Sequence, residues 1–278
     1  MPIVHNRDLF SESEFQRGAY AAFNVISLEH AEGIVMGAEA ANIPVILQLS
    51  ENAIQFHRGA LAIGSAMVHV AQGSSVAVAL HLDHITDERL MHLAPDLGFS
   101  SVMFDASAQP YEENLLRTKA AAKWCHARGL WLESELGEIG GKDGAHAPGV
   151  RTDPTDAVAF VAHTGVDALA VAVGSSHAMT SKTASLDHAL ITQLAHELPV
   201  PLVLHGSSGV LDSELTKAAR EGMRKINVGT ALNVSYTGHL REFLAANPET
   251  TDPRKYMTPG RDAIAHTVEH YLNVVSGR

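Results

Sequence analysis

The chain has 278 residues, 46% hydrophobic and 18% charged, enough to bury one large core in a single domain. Its formal net charge of −11, with no tract of Lys and Arg, excludes the electrostatic footprint of a nucleic-acid binder. One cysteine, Cys125, excludes an internal disulfide. No basic and apolar leader or membrane-length apolar window appears, so a cytoplasmic, non-membrane protein is expected.

Eight β-type runs follow one another: YAAFNV (20–25), PVILQLS (44–50), VAVALHLD (76–83), SSVMFD (100–105), LWLESEL (130–136), DALAVAVG (167–174), VPLVLHG (200–206) and RKINVG (224–229). Between them lie stretches with helical spacing, among them LEHAEGIVMGAEAA, DERLMHLAPDLG and DSELTKAAREG, and 230–246 and 260–275 close the chain. Many open on Asp, Ser or Thr and end on Gly or Asn, the residues that cap helices. Runs so continuously apolar are expected to be buried on both faces, as in a parallel sheet. Eight strand and helix units in this length predict an α/β fold, a (β/α)8 TIM barrel in one domain spanning 1–278. An open doubly wound sheet would need a glycine-rich phosphate loop after its first strand, and FNVISLEHAEG has none. The Gly-rich insert GEIGGKDGAHAPGVRTD (137–153) follows the fifth run and predicts an active-site lid.

Strand ends of such a barrel gather at one rim, and here they present Asn24, Ser50, Asp83, His84, Asp105, Glu135, His177, His205 and Asn227. Loops are polar in any case, so a single one of these residues carries little; their combination carries more. His84, His177 and His205 each end a run, and three imidazoles with open positions left on a divalent ion describe a catalytic zinc site. His81, two residues before the strand end, is expected to face the interior as a hydrogen-bonded residue. Asp83 either orients an imidazole or moves a proton as general acid and base, and its place at the strand end favours the latter. Asp105 and Glu135 are candidates for further metal ligands or for carboxylates that hold the ligands. HGSSGV and NVGTAL, each leading into a helix, offer backbone N–H groups and hydroxyls for an anion, although Ser208 and Thr230 would also serve as ordinary caps.

AFNV (22–25), HLDH (81–84), SVMFDAS (101–107), ESELGEIGGKDG (133–144), DALAVAVGSSH (167–177), PLVLHGSSGV (201–210) and KINVGTAL (225–232), in this order and spacing, resemble the class II, metal-dependent ketose-bisphosphate aldolases. The resemblance spans nearly the whole chain, including the ending DPRKYMTPGRDAI. It implies Zn2+ on His84, His177 and His205, with Asp83 moving the proton of the substrate's C4 hydroxyl. It further implies that Gly206, Ser208 and Thr230 hold the phosphate of dihydroxyacetone phosphate, that Asn227 steadies the enediolate, and that Asn24 and Ser50 line the pocket. A monovalent cation, Na+ or K+, is implied near that phosphate, and a homodimer or homotetramer acting on a small sugar phosphate is expected.

Ala178 stands where the family usually has Gly, Ser207 makes HGGSG into HGSSG, and Gly229 replaces the Asp of some members. These changes adjoin the phosphate and cation sites and leave open which ketose phosphate is cleaved. A second anionic group would call on Arg254, Lys255 or Arg261, from this chain or a neighbouring subunit. A zinc hydrolase on the same barrel would place His-x-His at the end of the first strand, where AFNVIS has none. A non-catalytic sugar-phosphate binder would not need Asp83. Lys225, early in the eighth run, is expected away from the rim, which argues against a Schiff-base aldolase.

Overall fold

The computed structural model describes residues 2–11, 18–136, 151–175 and 180–278. Strands β1 (Tyr20–Asn24), β2 (Val45–Ser50), β3 (Val78–Ile85), β4 (Ser101–Phe104), β5 (Trp131–Glu135), β6 (Ala168–Ala170), β7 (Leu202–Leu204) and β8 (Met223–Val228) pair in parallel in sequence order, and β8 closes on β1. The expected (β/α)8 barrel is the observed fold. β6 and β7 are shorter than the runs that predicted them, because beyond each the backbone turns towards Gly174 and Gly206, whose φ values are 120° and 69°.

The helices are α1 (Asn6–Ser11), α2 (Leu28–Ala41), α3 (Glu51–Phe56), α4 (Leu61–Gln72), α5 (Glu88–Met91), α6 (Ala94–Leu97), α7 (Tyr111–His126), α8 (Pro154–Thr164), α9 (His188–Glu197), α10 (Asp212–Glu221), α11 (Thr230–Ala246) and α12 (Pro253–Val275). DERLMHLAPDLG forms two short helices instead of one, since Pro95 has no N–H to continue a helix and fits only in a first turn. Cys125 in α7 is fully buried, and burial pushes its thiol up to about 12, as a packing residue rather than a reactive one.

Alternation along the strands divides the interior in two. Outward side chains such as Leu47, Leu82, Phe104, Leu132 and Ile226 join the large core shared with the helices. Met103, Trp131, Ala168, Ala170 and Val203 form a separate cluster inside the barrel. Phe10 of α1 closes its base, stacking on Trp131 at 5.2 Å between ring centroids, while Asn6 Nδ2 donates to Ser101 Oγ at 2.5 Å. Nearer the rim the inward positions change character: Gln48, His81, Glu133 and Lys225 are all fully buried. The strand bodies are therefore not apolar on both faces, because a closed barrel can bury polar groups that satisfy one another.

Candidate active site

Neighbouring strand residues face opposite sides of a sheet, yet Asp83 and His84 line the same pocket. β3 gains one residue on β4 between the pairs Leu82↔Val102 and Ile85↔Phe104, and His84 has φ 49°. This bulge re-aims the imidazole beside the carboxylate, with a left-handed non-glycine residue that costs about 1–3 kcal/mol.

Asp83 is buried; Asn24 Nδ2 donates to its Oδ2 at 2.8 Å, and Gln48 Nε2 donates to Asn24 Oδ1 at 3.0 Å. Asp83 Oδ1 is buried with no hydrogen-bond partner among the described residues. His84 Nε2 lies 2.9 Å from His205 Nδ1, with the two ring planes 86° apart. Each ring is held from behind by a carboxylate: Asp105 Oδ2 is 2.7 Å from His84 Nδ1, and Glu133 Oε1 is 3.1 Å from His205 Nε2. Burial alone would push the His84 imidazole down, but the carboxylates of Asp83, Asp105 and Glu135 outweigh it and raise it to about 10. For Asp105 burial acts upwards, and its hydrogen bond to His84 wins, holding the carboxyl far below its usual range.

His84, Glu135 and His205 each offer a ligand atom within 4.8 Å of the others. Two imidazoles and a carboxylate, with both imidazoles braced by acceptors, fit a zinc-like divalent ion. Two of the three expected histidines thus come together, joined by Glu135. His177 and Ala178 lie outside the described residues, as do Glu138, Asp143 and most of the expected lid, 137–150.

The opposite wall of the pocket is made by Gly206, Ser207, Ser208, Asn227, Gly229 and Thr230. Ser208 Oγ accepts from Ala231 N at 3.0 Å, capping α11 from the neighbouring loop, and Ser207 Oγ donates to Asn227 O at 2.5 Å. The two hydroxyls therefore tie the loops after β7 and β8 together at the start of a 17-residue helix, an end suited to an anion. Ser50 lines the pocket, and its Oγ accepts from Ala53 N at 3.2 Å to cap α3. Arg254 and Arg261 lie apart from this pocket, in a depression shared with Glu29 and Glu32, where Arg261 meets Glu32 at 3.0 Å. Lys255 likewise is not among the pocket's described lining residues.

Gln48, Asn52 and Asn233 also line the pocket and Glu133 lies beneath it, although none of these four was singled out from sequence; Lys225 lies beneath it too, away from the rim as expected. The signal was present. Gln48, His81, Glu133 and Lys225 stand two residues before Ser50, Asp83, Glu135 and Asn227, on the same inward face.

Fold and rim together define a (β/α)8 barrel whose rim carries a histidine and carboxylate cluster able to hold a divalent metal. The family model described as fructose-bisphosphate aldolase class-II matches residues 4–277. A fructose-bisphosphate aldolase of Geobacillus stearothermophilus is 37% identical over 274 residues, covering 96% of this chain and 95% of its own. Another, from Giardia intestinalis, is 35% identical over 290 residues, covering 95% and 90%. The crystal structure of the YdjI aldolase from Escherichia coli K12 superimposes with a TM-score of 0.84 at 29% identity, covering 98% and 97%. The chain belongs to the class-II fructose-bisphosphate aldolase family, and so to metal-dependent lyases that act on sugar phosphates. Among the described residues, no helix is long and apolar enough to cross a membrane.

Proposed function

We propose that this aldolase reversibly cleaves a ketose 1,6-bisphosphate of the fructose or tagatose type to dihydroxyacetone phosphate and an aldehyde such as glyceraldehyde 3-phosphate. The observation that carries the reading is Asp83 Oδ1, buried and without a partner among the described residues, beside the His84, Glu135 and His205 cluster. Zinc held by His84, His177 and His205, with Glu135 adjacent, would supply Lewis-acid stabilisation of the charge that develops on the substrate. Asp83 accepts the proton of the C4 hydroxyl as the C3–C4 bond breaks and returns it in the reverse direction. Asn24 and Gln48 hold Asp83 for that transfer. Backbone N–H groups around Gly206, Ser208, Gly229 and Thr230 take the phosphate of the ketone half, while the Asn227 amide faces the oxygen that gains charge. Ser207, Ser50 and Ala178 shape the pocket, and a Na+ or K+ ion is read beside the phosphate.

The enzyme is read as a cytoplasmic homodimer or homotetramer in which Arg254, Lys255 or Arg261 of the partner subunit meets the distal phosphate. Residues 137–153 are read as the lid. Cleavage assays across ketose 1-phosphates and 1,6-bisphosphates, before and after prolonged chelation, test the proposal. We expect a 1,6-bisphosphate to be preferred, with cleavage lost on chelation and restored by zinc. Full activity after metal removal, or no cleavage of any bisphosphate, would overturn it.

A further inference from the structure

Beneath the rim, Glu133, Lys225 and His81 are fully buried in one connected group. Glu133 Oε2 accepts from Lys225 Nζ at 2.7 Å, and Glu133 Oε1 lies 3.1 Å from His205 Nε2. Lys225 Nζ also stands 3.4 Å from His81 Nε2, and His81 Nδ1 lies 2.8 Å from Ser101 Oγ. Burial, with the Lys225 charge adding to it, drives the His81 imidazole well below its ordinary range, so His81 is a neutral neighbour of the ammonium. An ion pair at this depth is not needed to hold a barrel together, because apolar side chains of similar volume pack as well or better. What distinguishes the pair is its contact with His205.

A carboxylate that already accepts from an ammonium can only accept from the imidazole as well. Nε2 of His205 must then carry the ring proton, and Nδ1 keeps its lone pair towards His84 Nε2, 2.9 Å away. Asn227 Nδ2 lies 3.2 Å from the same Nε2, but an amide can turn over and present its oxygen, whereas the carboxylate cannot become a donor. Glu133 therefore imposes the tautomer from this side of the ring, and still does so once a metal ion takes the place of the His84 proton. We propose that Glu133, paired with Lys225, is a positioning residue that fixes His205 in its Nε2–H tautomer and so presents Nδ1 to the divalent ion. The inference rests on the reading of His205 as a metal ligand.

The test compares Glu133→Leu/Lys225→Met, which leaves no buried charge behind, with Glu133→Gln/Lys225→Met, whose amide oxygen is free to accept from His205. Long-range nitrogen–proton NMR of the metal-free protein, with His84→Ala added to every form so that no donor faces His205 Nδ1, reads the tautomer, and competition with a chelator, with His84 present, reads zinc affinity. The wild type should show Nε2–H at His205. The Leu/Met variant should show a mixture and bind zinc about 10- to 100-fold more weakly, and the Gln/Met variant should regain the tautomer and most of the affinity. Packing alone would not distinguish these two variants. An Nδ1–H wild type, or a folded Leu/Met variant with wild-type zinc affinity, would overturn the inference. His205→Ala keeps the failures apart: if it loses zinc while the Leu/Met variant does not, only the positioning role falls, and if it retains zinc unchanged, the ligand reading falls first.

Discussion

Asn24 Nδ2 donates to Asp83 Oδ2 at 2.8 Å and so fixes the carboxylate of a residue that lines the pocket, while its Oδ1, buried, has no partner among the described residues. Asp83→Ala should keep the fold and the metal, since the ligands and their braces are untouched, while turnover falls about 100- to 10,000-fold. Zinc content and kcat measured on the same preparation check this. A rate near that of the wild type would move proton transfer to another group, with Glu138 and Asp143 the next to replace.

Gly229 protects the same arrangement from the opposite side. Its φ of −127° is open to any residue, so the constraint is space: a Cβ there would stand 2.8 Å from Asn24 Oδ1. Asn24 cannot swing away freely, because Gln48 and Asp83 hold both ends of its amide. Gly229→Ala should therefore misplace Asp83 and lower kcat by about 10- to 100-fold, with a smaller change in KM. Unchanged kcat would show that Asn24 does not position the carboxylate.

The barrel was legible because its outward strand faces and capped helices follow the two standard periodicities, and the rim because polar residues such as Asn24, Asp83 and His205 interrupt apolar runs. The layer beneath the rim was harder to read. Glu133 looks like one more strand-end acid in LWLESEL, and only its alternation with Glu135 turns it inwards under His205. The bulge at His84 left no trace in composition, because a non-glycine residue at φ 49° is a consequence of tertiary packing. Arg254 and Arg261 resemble anion ligands by charge, but within this chain they sit among Glu29 and Glu32.

Metal uptake should be coupled to the His84 proton. In the metal-free protein the imidazole is raised from 6.5 to about 10, so its contribution to stability is complete below 6.5 and is lost as pH rises towards 10. Asp105 is shifted the other way from 3.8, so its contribution is present above that value and lost as pH falls below it. The pair thus stabilises the metal-free fold most between these two ordinary values, and a divalent ion arriving at neutral pH must displace the proton. Calorimetric titration with zinc in two buffers of different ionisation enthalpy should show proton release, with apparent affinity rising between pH 7 and 9. Affinity that does not change over that range would contradict the His84 assignment.

Lys225 separates this enzyme from an aldolase that works through a lysine Schiff base. Such chemistry needs an amine that can lose its proton and reach a carbonyl. Lys225 is the one fully buried lysine among the described residues; its ammonium is 2.7 Å from Glu133, and it does not line the pocket. Held in that pair and outside the pocket lining, its nitrogen is not placed to reach a substrate carbonyl. Borohydride treatment in the presence of dihydroxyacetone phosphate should leave every lysine unmodified by mass spectrometry, and cleavage should survive. A stoichiometric adduct on Lys225, together with activity that resists chelation, would replace the metal mechanism while leaving the barrel as it stands.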